Sequence, residues 1–238
     1  MINKNPCINI YENRKKNSKL SSQILYGEKF SITKKYRRFY KIKTGYDKYV
    51  GFIKKRKFEQ FAFKPTHKVS SLKANVFSKP IKSSRIKMKL SFTSLLQVKS
   101  SNKEFFNFDS YWIQKSDVVP IKYKEKIFKK VKIFRNVKYK WGGKTFDGID
   151  CSGLLQLFYK FNNLYCPRDT GPQFRYFKKF KSVKKDAIIF WKGHVAICLS
   201  KSQLIHAYGP KKKVLFMNIK KTFKLIERTA KLKVIAIR

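Results

Sequence analysis

The chain has 238 residues, 42% hydrophobic and 16% aromatic, which supplies a real core and excludes a disordered protein. Its formal net charge of +45 would ordinarily point to nucleic acid or an anionic membrane. The lysines, however, are scattered along the whole chain, which reads as compositional bias over a solvated surface and argues against a dedicated nucleic-acid binder.

The N-terminal "MINKNPCINIYENRKK" lacks the apolar core of a signal peptide, and no apolar run approaches the ~18 residues of a membrane span. The four cysteines, Cys7, Cys151, Cys166 and Cys198, show no metal-pair spacing and are too few and irregular for a disulfide scaffold. The expectation is a soluble, reduced, cytoplasmic protein.

An internal repeat fills the first half. "INIYENRKKNSKLSSQILYGEKFSI" (8–32) aligns without gaps on "ANVFSKPIKSSRIKMKLSFTSLLQV" (74–98), an offset of 66. Ile10 falls on Val76, Tyr11 on Phe77, Ile24 on Leu90 and Tyr26 on Phe92. Each copy then reaches a short aromatic strand, "DKYVGFIKK" in the first and "DSYWIQKSDV" in the second. Alternating apolar positions over short runs, separated by polar turns, predict small antiparallel sheets. Two all-β units of about 60 residues follow, a size at which domains often fold alone. Their strand-loop-strand rhythm resembles bacterial SH3-like barrels.

From about residue 120 the pattern changes. "IKYKEKIFKKVKIFRNV" reads as helical, and Gly142-Gly143 in "KYKWGGKTFDGIDCSG" mark a tight turn. Cys151 to about Asn162 carries Leu154, Leu155, Phe158 and Phe161 at helical spacing, with Asp150 placed as N-cap. Cys151 then lies in the first turn, where free amides and the helix dipole favour thiolate over thiol.

Such a thiol needs a base. Only three histidines exist, His67, His194 and His206. His194 opens "GHVAICLS" and His206 lies in "QLIHAYG", two strands separated by the polar turn "SKSQ". A hairpin centred on Ser200 sets the two histidines opposite one another, with Cβ atoms roughly 5 Å apart. Thiol, histidine and a second polar group orienting that histidine form a nucleophile–base–orienter set. The rival use of these atoms, a Cys-His-His zinc site, lacks a fourth ligand.

The ordered motifs "YKWGG" (139–143), "DCSGLLQ" (150–156), "RDTGPQ" (168–173), "GHVAI" (193–197) and "IHAYG" (205–209) resemble the NlpC-type cysteine peptidases, papain-like enzymes that cut bacterial cell-wall peptides. With two SH3-like units in front, the chain resembles the γ-D-glutamyl-L-diamino-acid endopeptidases. The resemblance implies a multidomain fold: SH3-like barrels over 1–57 and 58–119, then an α+β papain-like catalytic domain over 120–238. It implies Cys151 as nucleophile, His194 as base, His206 as the group orienting that base, and Tyr139 as an oxyanion contact. It implies Asp150, Ser152 and Thr170 at the substrate's α-amino group and Tyr49 closing the pocket, with core packing the competing role for Tyr49 and helix capping for Asp150. No metal or cofactor is implied, and the one partner implied is a murein-derived peptide, with no specific nucleic acid. Around "NSKLSSQ", where the family places an acid, this sequence has lysine and serine. Cys7, Cys166, Cys198 and His67 are read as structural.

The expected activity is hydrolysis of the γ-D-glutamyl–diamino acid bond of stem peptides with a free N-terminal L-Ala, in wall-peptide recycling, through an acyl-enzyme. Two other classes compete. One is an amidase or acyltransferase on the same scaffold, since only the acyl acceptor differs. The other is a basic nucleic-acid-binding protein on a relic peptidase fold, whose binding would weaken steeply with salt.

Overall fold

The computed structural model describes residues 1–58, 62–179 and 182–238. The chain forms two compact units, Met1–Lys124 and Glu125–Arg238.

The first unit contains two antiparallel five-stranded sheets. Strands β1 (Cys7–Tyr11), β2 (Leu20–Leu25), β3 (Phe30–Lys35), β4 (Phe39–Thr44) and β5 (Val50–Lys54) pair in the order β2-β1-β5-β4-β3. Alternation on β1 and β5 drives Ile8, Ile10 and Ile53 inward, where they meet Ile24, Phe30 and Ile42 in one core. Next come β6 (His67–Val69), β7 (Lys73–Phe77), β8 (Ile86–Ser91), β9 (Leu95–Leu96), β10 (Ser100–Ser101), β11 (Phe105–Phe108), β12 (Tyr111–Gln114) and β13 (Val118–Pro120). They give a sheet ordered β10-β11-β12-β7-β8 and a smaller one ordered β13-β6-β9.

The repeat is structural. β1 and β7 begin 66 residues apart, as do β2 and β8. A register irregularity between Ile10 and Tyr11 recurs between Val76 and Phe77. Among the described residues the ladders leave each five-stranded sheet open, with β2 and β3 at the edges of the first and β10 and β8 at the edges of the second. Tyr26, from the first copy, packs in the second core, edge-on to Phe108 with centroids 5.7 Å apart, and its hydroxyl donates to Asp109. The turn after Tyr26 requires glycine: Gly27 has φ +77°, and a Cβ there would lie 2.2 Å from the Leu95 carbonyl oxygen.

The second unit is α+β. It runs through β14 (Lys144–Thr145), β15 (Gly148–Ile149), α1 (Cys151–Phe161), α2 (Thr170–Tyr176), β16 (Ile188–Trp191), β17 (His194–Cys198), β18 (Gln203–Tyr208), β19 (Lys213–Asn218), α3 (Ile219–Ala230) and β20 (Val234–Ile237). The last five strands form an antiparallel sheet ordered β19-β18-β17-β16-β20.

The helix expected after residue 120 does not form. Its place is taken by turns and one 3₁₀ segment, Val131–Phe134. Phe128, Val131, Phe134 and Val137 are buried at a spacing of three, the period of a 3₁₀ helix and not of an α-helix. Lys129 and Lys132 between them stay toward solvent, and no acidic residue caps the segment. Asn136, at φ +65°, ends it.

Candidate active site

Cys151 opens α1, and Asp150 is its N-cap, accepting from the Gly153 amide at 2.7 Å. The other carboxylate oxygen accepts from the Gly142 amide at 2.8 Å, tying the glycine turn to the helix start. That turn is closed by Gly143 N–H donating to the Lys140 carbonyl at 2.9 Å, with Gly142 at φ +71°. Gly143 has no room for a side chain, because a Cβ would lie 2.4 Å from the Gly148 carbonyl oxygen.

Arg168, which sequence reasoning passed over inside "RDTGPQ", is the charge partner of this corner. Its Nη1 and Nη2 donate to the two oxygens of Asp150 at 3.0 and 2.7 Å, and Nη1 also reaches Ser152 Oγ at 2.9 Å. The pair is buried and bidentate, the geometry that makes guanidinium–carboxylate contacts strong. With Ser152 Oγ also donating at 3.3 Å, Asp150 has five internal donors. Its charge is therefore already matched inside the protein. Gln173 of α2 donates to the Ser152 carbonyl at 3.0 Å, which fastens α2, and Thr170 at its start, to the helix that Cys151 opens.

His194 and His206 meet, but not as direct partners. Leu199 N–H donates to the Gln203 carbonyl, Ile197 pairs Ile205 and Cys198 pairs Leu204, so the hairpin is centred on Lys201, not Ser200. Ser200 Oγ sets this register by accepting from the Ser202 and Gln203 amides, each at 3.1 Å. The histidines are consequently diagonal neighbours on one face, within reach of ring side chains. His194 Nε2 and His206 Nδ1 lie 2.9 Å apart.

That bond leaves Nδ1 of His194 free to take a proton. The thiol of Cys151 is backed by the amide of Val195, the residue after His194, and by the amide of Ser152. For His194 Nδ1 to act as acceptor, its Nε2 must carry the hydrogen and donate to His206 Nδ1. Tyr139 lies beside the same corner: it bridges Ile149 in a short parallel pairing, and its ring packs on Gly209.

The electrostatics correct the expected thiolate. Burial, reinforced by the Asp150 charge, pushes the Cys151 thiol up to about 12, outweighing the amides of Val195 and Ser152 and the Arg168 charge. Burial pulls His194 down to about 4, and burial with the neighbouring His194 pulls His206 down to about 3. Both directions favour an uncharged thiol and an uncharged imidazole at rest. Burial likewise raises the Tyr139 hydroxyl, keeping it a neutral donor. Such a site can deliver a thiol to a carbonyl carbon, take its proton on an imidazole and hold the oxyanion with a phenol and a helix-start amide.

Of the remaining candidates, Tyr49 and His67 belong to the first unit. Tyr49 sits between β4 and β5 of the first unit, packed against that unit's first core with its amide on Thr44 Oγ1. His67 pairs Leu96 and Pro120 across β6, its ring 4.5 Å from Phe106. Cys166 and Cys198 are fully buried.

Residues 136–229 match the model of the NlpC/P60 family. Over 174 residues the chain is 26% identical to a gamma-D-glutamyl-L-lysine dipeptidyl-peptidase of Bacillus subtilis (strain 168), covering 65% of this chain and 57% of that protein. It is 31% identical over 114 residues to a protein of the same name from Bacillus cereus (strain ATCC 10987 / NRS 248), covering 40% of this chain and 34% of that one. The matched parts thus span less than two thirds of either relative. In fold, the chain is similar over its full length to the crystal structure of an NlpC/P60 family protein from Bacillus cereus ATCC 10987. The TM-score is 0.82 and the identity 18%, with 98% of that chain covered. Within the second unit, residues 136–229 are thus similar to the NlpC/P60 family.

Proposed function

We propose that the chain is a cysteine peptidase that hydrolyses the γ-D-glutamyl–diamino acid bond of murein stem peptides bearing a free N-terminal L-Ala. The observation that carries this reading is the 2.9 Å bond between His194 Nε2 and His206 Nδ1, beside a thiol at a helix start. The relatives' names support the choice of bond.

In this reading the Cys151 sulfur attacks the γ-carbonyl carbon of D-glutamate while its proton passes to His194 Nδ1. His206 holds the tautomer and shares the resulting positive charge, the part a carboxylate plays in serine triads. Tyr139 O–H and the Cys151 amide stabilise the tetrahedral oxyanion. The amide C–N bond breaks, His194 returns the proton to the leaving amine, and a thioester remains. Water, deprotonated by His194, then releases the L-Ala-γ-D-Glu acid and the free thiol.

Ser152 and Thr170 are assigned to the amine end of the substrate. Asp150, its charge matched by Arg168, shapes that end by capping α1 and anchoring the glycine turn. The two repeats are read as SH3-like modules, supported by their common strand order in sequence and shared bulge. A cytoplasmic role in wall-peptide recycling goes with the four free cysteines, which suit a reducing compartment.

The test is hydrolysis of L-Ala-γ-D-Glu-meso-diaminopimelate beside its N-acetylated form, with Cys151→Ala as control. The reading requires cleavage of the free peptide alone. Equal cleavage of the acetylated peptide would make the chain a general murein endopeptidase, and no cleavage of either would remove this substrate.

A further inference from the structure

The base is enclosed by aromatic rings that no role has yet explained. His206 and the Tyr208 ring stack with centroids 5.0 Å apart and planes 12° from parallel. Tyr208 also meets His194 edge-on at 5.6 Å, and Trp191 flanks His194 at 5.5 Å. Trp191 of β16 and Tyr208 of β18 thus flank His194 from the two strands that neighbour its own.

Both rings are anchored in one helix. The Tyr208 hydroxyl lies 2.5 Å from Thr229 Oγ1, in the last turn of α3. Thr229 gives its single hydroxyl hydrogen to the Leu225 carbonyl at 2.7 Å, so Tyr208 must donate and Thr229 accept. Trp191 packs edge-on against Phe223 of the same helix at 5.8 Å. Just past the end of the strand, Gly209 leaves the space that the Tyr139 ring fills, since a Cβ there would lie 3.3 Å from Tyr139 Cε1. The end of β18 therefore sets His206, Tyr208 and Tyr139 in one block. A Tyr208 that served only to fill the core would need no fixed hydroxyl and no parallel stack on the one histidine that touches the base.

We propose that Tyr208 is a positioning residue for the base, holding the His194–His206 pair in its productive geometry while Thr229 of α3 holds Tyr208. The role rests on the peptidase reading above. It makes α3, which contributes nothing to the reacting atoms, a buttress of the base: one misaligned ring between thiol and orienter lowers the rate without weakening substrate binding.

The test uses the whole chain with Tyr208→Leu (ring removed), Tyr208→Phe (ring kept, anchor removed) and Thr229→Val, the last two covering the case in which Tyr208→Leu does not fold. Side-chain nitrogen NMR is simple here, because the protein has three histidines. In the native protein the proposal expects His194 to show one tautomer, with hydrogen on Nε2. The proposal expects mixed tautomers in Tyr208→Leu and a kcat about 100-fold lower on L-Ala-γ-D-Glu-meso-diaminopimelate, with KM within about twofold. Tyr208→Phe and Thr229→Val should each lower kcat a few-fold, and combining them should add nothing further. An unchanged histidine spectrum in Tyr208→Leu overturns the proposal, as does a kcat within twofold of native in folded Tyr208→Leu. Should Tyr208→Leu not fold, unchanged kcat in both other variants overturns it. If the native protein leaves the peptide uncut while Tyr208→Leu still shifts the histidine spectrum, the substrate reading falls and the positioning role stands.

Discussion

His194 and His206 are joined by one hydrogen bond of 2.9 Å between ring nitrogens, although they sit diagonally and not opposite one another on their hairpin. On the proposed reading His206 is the orienter, a second imidazole that must present an acceptor to hold His194 in the tautomer able to take the thiol proton. His206→Gln, which still presents an acceptor oxygen, should lose about 10-fold in kcat. His206→Ala, which presents none, should lose about 1,000-fold or more, in line with the cost of a wrong tautomer in serine triads. Steady-state kinetics on the stem peptide separate the two, and equal losses would contradict the orienting role.

The uncharged resting pair has its own signature. With Cys151 pushed up to about 12 by burial and Asp150, absorbance near 240 nm should show no Cys151-dependent thiolate step between pH 5 and about 9. Titration of native protein against Cys151→Ser checks this, and a step near neutrality would mean a preformed thiolate–imidazolium pair.

The two paired histidines also set an acid limit on stability. Their folded values, about 4 and about 3, lie below the ordinary 6.5, so between those limits the unfolded chain binds protons that the folded chain does not. Stability is therefore complete above about pH 6.5 and falls as pH drops toward 3, by at most about 1.4 kcal/mol per pH unit for each histidine. Urea midpoints at pH 7, 6 and 5 measure the slope, and His206→Gln should flatten it.

Arg168 holds the corner of the site without touching the reacting atoms. Arg168→Met leaves the Asp150 carboxylate buried beside no cation, a change that typically destabilises by about 3–5 kcal/mol. Thermal unfolding should show a large loss for Arg168→Met and a smaller one for Arg168→Lys, which restores charge but not the bidentate fork. A shift under about 1 kcal/mol would mean that water reaches the pair.

Gly143→Ala places a methyl 2.4 Å from the Gly148 carbonyl oxygen and 2.9 Å from that of Lys140, backbone atoms with little freedom to yield. Overpacking of this kind costs about 1–3 kcal/mol. It should also loosen the Gly142–Asp150 bond and slow Cys151 alkylation, both measurable on the purified variant.

What was legible in the sequence was local. Asp150 capping Cys151 involves residues a turn apart, and the 66-residue repeat shows itself in side-chain identity alone. The two histidines could be placed on facing strands because their separation brackets a polar turn. Their register could not, because Ser200 Oγ, by binding two amides, moves the turn centre by one residue. The segment after residue 120 was misread as an α-helix because a spacing of three mimics one over a short window. Arg168 was missed because its partner is 18 residues away and buried arginines carry no periodic signal. Burial runs against the thiolate expectation for a similar reason: helix-end electrostatics can be read from a cap, whereas burial of the sulfur depends on the strands packed over it.

The most direct test of the central claim is intact-protein mass spectrometry of a rapid-quench reaction with the stem peptide at mildly acidic pH, where deacylation is slowed. The account predicts a transient mass increase equal to an L-Ala-γ-D-Glu acyl group, mapped to the Cys151 peptide and absent in Cys151→Ala. Hydrolysis that persists in Cys151→Ala, or an acyl group on any other residue, would contradict it.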